Sequence, residues 1–81
     1  MTDDEILAAI VASINEETGS AAQHISPEMT ASDVPGWDSL AHVRIVLNIG
    51  DRLGVTINIE DTYRAATIGD LVPVIRQSQG A

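Results

Sequence analysis

The stretch Pro35-Gly36-Trp37-Asp38-Ser39-Leu40-Ala41-His42-Val43, with its continuation to Leu53, decides the fold of this chain. Proline and glycine make a turn, and the acid and hydroxyl that follow are residue types that cap helices by accepting from free backbone N–H groups. Behind them apolar residues recur at helical spacing, which predicts a helix from about Asp38 to Leu53 with Gly54 as its stop. The wheel is drawn at about 100° per residue with Ser39 at the origin. His42, Ile45, Val46, Ile49 and Leu53 then gather on one arc, the expected core face. Leu40, Val43 and Leu47 fall outside that arc, while Arg44, Asn48, Asp51 and Arg52 complete a polar back. The helix carries more apolar surface than one core face needs, and the surplus lies beside the serine. Such a surplus marks either a partner site or a face buried under the preceding loop.

The elements on either side are also helical. Ile6, Leu7, Ile10, Val11 and Ile14 predict a first helix, with acids in its first turn, Thr2 or Asp3 as cap and Gly19 as stop. Residues 20–37 read as a long loop pinned by Ile25, Met29 and Val34, and loops of this length in small domains usually serve a function. A short helical turn is expected around Asp61–Arg64. Thr67 then caps a last helix from Ile68 to about Gln77, with Asp70 completing a Thr-x-x-Asp pattern and Pro73 disturbing its start or kinking it. The sum is an all-α, four-helix bundle with a long loop between helices 1 and 2 and a short third helix. At 81 residues the chain is read as a single domain, 1–81.

Composition narrows the chemistry. There is one tryptophan, one tyrosine and no phenylalanine, so the core must be aliphatic. With no cysteine, any thiol chemistry needs a cofactor. The net charge is −8, and residues 1–43 hold eight acids (Asp3, Asp4, Glu5, Glu16, Glu17, Glu28, Asp33, Asp38) without one lysine or arginine. Residues 44–81 balance four acids against four arginines. Such a surface argues against nucleic acid and anionic membranes, and on charge alone it fits equally a preference for partners with basic docking surfaces and a role in keeping a small domain soluble. No stretch resembles a leader or a membrane span, so a cytoplasmic protein is expected, and the chain is read as a monomer.

Ser39, Asp38 and His42 invite a catalytic reading, which fails: a helical i,i+3 pair forms no cleft, and no glycine-rich turn supplies an oxyanion hole. His24 and His42 lack metal-ligand spacing and read as an exposed loop residue and a helix-surface residue. No catalytic residue and no metal site is therefore expected. What suits Ser39 is different: a hydroxyl at a helix N-terminus is well placed for a phosphodiester, because the helix end stabilises the anion.

Gly36-Trp37-Asp38-Ser39-Leu40, followed by Val43, Leu47, Leu53, Gly54-Val55 and Ile57, resembles the acyl carrier protein family over nearly the whole chain. The resemblance implies that Ser39, flanked by Asp38 and Leu40, receives 4′-phosphopantetheine from a phosphopantetheinyl transferase. The arm's thiol would carry acyl groups to acyl-loading and acyl-processing enzymes of fatty acid, polyketide or other specialised synthesis. It further implies that Ile45, Val46, Ile49 and Leu53 line the core and any acyl pocket, and that Leu40, Val43, Arg44 and Leu47 face partners. An aminoacyl or peptidyl carrier and an unmodified helical interaction module stay open as alternatives. The chain departs from fatty-acid-synthesis carriers, which bear acids near the positions of Ala41 and Arg44. Here Arg44 and Arg52 against Asp51 leave that helix at +1, which points to a dedicated pathway.

Overall fold

In a computed structural model, residues 1–19 and 24–79 are described, so positions 20–23 of the predicted loop lie outside the described residues. The elements are α1 (Asp3–Thr18), a 3-10 turn (Ala31–Asp33), α2 (Ser39–Leu53), α3 (Ile59–Thr62) and α4 (Leu71–Gln79). There is no strand among the described residues. The all-α, four-helix reading holds.

α1 starts where a capping box allows it. The Thr2 hydroxyl accepts from the Glu5 backbone N–H at 3.1 Å, and the Glu5 carboxylate accepts from the Thr2 N–H at 3.2 Å. Thr2, not Asp3, is therefore the cap. Its buried face is Ile6, Ile10, Ser13 and Ile14. α1 packs on α2, and its three isoleucines share one core cluster with Ile45 and Ile49 of α2. Ile68, Leu71 and Ile75 close the core from the α4 side, and the loop contributes Ile25 and Val34. The core is almost wholly aliphatic, as the composition requires.

The loop is held in two ways. Its apolar anchors are buried or, at Met29, packed against the core. Its backbone pairs with the lead-in to α4, where the Ile68 N–H donates to the Met29 carbonyl at 2.8 Å and the Gly69 N–H to the Pro27 carbonyl at 2.9 Å. The 3-10 turn within it, not anticipated from sequence, begins at Thr30, whose N–H donates to the Asp33 carboxylate at 2.9 Å.

Two boundaries differ from the sequence reading. α3 covers Ile59–Thr62 and not Asp61–Arg64, because the Asn58 side chain caps it by accepting from the Glu60 N–H at 3.1 Å. Tyr63 and Arg64 form the turn that follows. α4 begins at Leu71 and not at Ile68. The Thr67–Asp70 reciprocal bonds form as expected, at 3.2 Å each, but they close a turn one step earlier. Pro73 has no N–H to bond back to residue 69, and its ring clashes with a helical carbonyl there. As the third residue of α4 it occupies a position whose N–H would have no helical partner anyway.

Candidate functional site

α2 begins at Ser39 with Asp38 as its cap, and the Asp38 carboxylate accepts from the Ala41 N–H at 2.8 Å. Because the acid takes the capping role, the serine does not. Ser39 is exposed, and its hydroxyl has no hydrogen-bond partner among the described residues. The result is a free primary hydroxyl at the positive end of a 15-residue helix.

Below the serine runs the surplus stripe predicted from the wheel. Leu40 is 59% exposed and Leu47 68% exposed, Val43 is half-buried, and Arg44 is exposed between them. The opposite face carries Ile45, Val46 and Ile49 into the core, with Leu53 packed against it. Of the two readings of the surplus, the exposed stripe is the one found.

His42 departs from the reading of a helix-surface residue. It is half-buried, and both ring nitrogens are engaged. The Trp37 Nε1–H donates to His42 Nδ1 at 3.2 Å, and His42 Nε2 lies 2.7 Å from Thr62 Oγ1. The Thr62 hydroxyl gives its own proton to the Ile59 carbonyl at 2.6 Å, so it must accept from His42. That fixes the neutral ring with the proton on Nε2. Burial holds the imidazole pKa below its ordinary value. Tyr63 stacks on the same ring, with centroids 4.5 Å apart.

One histidine thus ties the residue two before the serine to α2 and to α3. With both nitrogens occupied it offers no base to Ser39, which removes the catalytic geometry. The sequence signal for this network was present, since His42 falls on the apolar arc, but its partner Thr62 is 20 residues away.

A small cavity of about 70 Å³ opens beside this network, lined by Trp37, His42, Thr62, Ala65, Ile68 and Leu71 among others. Ile45, Val46, Ile49 and Leu53 take the core positions expected of them and are not among its lining. Ile45 and Ile49 are closed into the core, and Val46 borders a separate open groove towards Val55 and Ile57. No cluster of metal-ligating side chains forms among the described residues.

Residues 8–75 match the family described as "Phosphopantetheine attachment site". The chain is 34% identical over 79 residues to the "Acyl carrier protein" of Kineococcus radiotolerans, covering 98% of each chain. It is 36% identical over 76 residues to the "Acyl carrier protein" of Micrococcus luteus, covering 94% of each. It is 38% identical over 77 residues to the "Meromycolate extension acyl carrier protein" of Mycobacterium tuberculosis, covering 95% of this chain and 67% of that one. No solved structure matches the chain significantly.

Proposed function

This chain belongs to the acyl carrier proteins of the phosphopantetheine-attachment family, and from that premise we propose that Ser39 is the residue that carries its cofactor. As a family member it is a carrier and not an enzyme. It holds 4′-phosphopantetheine covalently, and it interacts with a phosphopantetheinyl transferase and with acyl-processing enzymes. The attached group supplies a terminal thiol that holds acyl groups as thioesters, in a chain that has no cysteine of its own.

The observation that carries the assignment is the uncommitted Ser39 hydroxyl. Asp38 satisfies the backbone, and the serine stays free and exposed. The helix N-terminus favours the phosphodiester that attachment creates. Asp38 acts as the positioning flank, and Leu40 starts the partner-facing stripe with Val43, Arg44 and Leu47. Ser13 is a poor competitor because it is fully buried and its hydroxyl donates to the Ala9 carbonyl at 2.8 Å.

Residues 1–81 act as one carrier domain, a cytoplasmic monomer that engages neither nucleic acid nor membranes. Its acidic surface supports the lack of nucleic-acid and anionic-membrane partners. The cargo is an acyl group, as the relatives' names suggest, and the cation on α2 favours a dedicated pathway over general fatty acid synthesis. Incubation with coenzyme A and a broad-specificity transferase should add one phosphopantetheinyl group by intact mass, and Ser39→Ala should gain none. Modification at Ser32 or another serine of the wild type would overturn the assignment.

A further inference from the structure

Of the four arginines, three pair with acids: Arg52 with Glu16, Arg64 with Asp61 at 3.9 Å, and Arg76 with Asp3. Arg44 has no acid partner among the described residues. Of the acids that line the α1–α2 groove with it, Asp51 lies two turns further along α2 and forms no ion pair with it, and the two on α1 are already engaged. Glu16 takes Arg52, and Glu17 accepts from Asn48 Nδ2 at 2.9 Å. Arg44 also sits in the middle of the apolar stripe, four residues after Leu40 and three before Leu47, so all three side chains lie along one face of the helix.

A guanidinium between two exposed leucines is a poor solvent-facing arrangement but a good interface core. Arginine forks onto carboxylates bidentately, and its bond strengthens as flanking apolar contacts exclude water. The rest of the surface says the opposite about sign, since the molecule carries −8 overall. Long-range attraction therefore selects a basic partner, while the local contact at mid-α2 selects an acid.

Resting on the carrier reading, we infer that the α2 face docks on an acyl-processing enzyme whose surface is basic overall but places a carboxylate opposite Arg44, between apolar receptors for Leu40 and Leu47. The exposed Asp51, one turn beyond Leu47, then meets the basic surround. Partner choice is set by that one local inversion, because charge complementarity at a rim or contact acts on encounter and on the rejection of wrong partners.

The test is a charge-swap cycle. An acyl transferase with a cationic carrier-docking patch is prepared with each basic patch residue replaced singly by glutamate, all matched by turnover of free pantetheine. Wild type, Arg44→Glu and Arg64→Glu are compared as holo proteins in loading, and as apo proteins in direct binding, at low and high salt. Arg64→Glu makes the same change in net charge from the turn after α3, where Arg64 is exposed. Both substitutions are at exposed positions, and melting curves check the fold.

At one patch position, wild type should gain on the glutamate variant where Arg44→Glu loses. The coupling there should be on the order of tenfold at low salt and shrink at high salt, while Arg64→Glu shows none. If no position distinguishes Arg44 from Arg64, docking is steered by net charge alone and the inference falls. A protein that binds in the apo form but never takes the cofactor would count against the carrier reading and leave the binding cycle to decide this one.

Discussion

His42 shows how one side chain can fix a neighbourhood. Its neutral ring accepts from Trp37 and donates to Thr62, so protonating Nδ1 would set two N–H groups against each other. Burial lowers its folded pKa below the ordinary 6.5, and the sign of the pH effect follows. The unfolded chain takes up a proton as pH drops through about 6.5, before the folded one does, so stability is full above that pH and declines below it until the folded pKa is reached. Glu28 is also shifted down, by a hydrogen bond from its own backbone and then by Ser26, but its effect begins only below 4.5. Urea melts at pH 7.5 and about 5.5 should therefore show a loss in wild type that His42→Gln lacks; equal losses in both would mean the network does not hold the ring neutral. In the core, Ile49→Ala leaves a cavity in a site that is 1% exposed and should cost about 2–4 kcal/mol. Val43→Ala, half-buried on the partner stripe, should cost clearly less, and equal losses would mean that the stripe is buried after all.

The helices were legible because their signals are local. The α2 period, its Asp-Ser start and its glycine stop all sit within one stretch, and Gly19 and Gly54 take the left-handed conformation expected of stops. Thr2-x-x-Glu5, Thr30-x-x-Asp33 and Thr67-x-x-Asp70 are one device used three times. Read consistently, that device would have found the 3-10 turn in the loop. The late start of α4 was not legible from the cap alone, since the same pattern closes a single turn when a proline follows. The Trp37–His42–Thr62 network and the loop's pairing with residues 68 and 69 were hidden for another reason: their partners are distant in sequence, and nothing local specifies them. Gly50 is a further case. Alanine there would gain about 1 kcal/mol of helix propensity, but its Cβ would lie 2.7 Å from the Val55 carbonyl oxygen, where the backbone returns towards α3. The close approach outweighs the propensity, so Gly50→Ala should destabilise by about 1–3 kcal/mol in denaturant melts. An unchanged or raised midpoint would show that the α2–α3 connection shifts freely.

The acidity of the molecule sets how it responds to salt. Twelve acids against four arginines leave −8 on a body of 33 × 23 × 21 Å. Among the described residues the ion pairs that oppose this repulsion are few and exposed: Arg52–Glu16 links α2 to α1, Arg76–Asp3 links α4 to the start of α1, and Arg64–Asp61 is local to α3 and its following turn. Exposed pairs contribute roughly 0–1 kcal/mol each, whereas the repulsion is summed over the whole surface. The two respond differently to ionic strength. At about 0.01 M the screening length is about 30 Å, comparable with the molecule, so the acids of α1 repel those of the loop and of α3 across its full width. At about 0.15 M it falls to about 8 Å, which removes those long-range terms but spares contacts at bonding distance. Added salt should therefore stabilise the fold, raising the melting temperature by several degrees between those two concentrations. Arg76→Gln, which removes the pair to Asp3 and raises the net negative charge, should melt lower and gain more from salt. A wild type whose melting temperature falls with salt would mean that the ion pairs outweigh the repulsion, and the acidic surface would then have no destabilising role in the free protein.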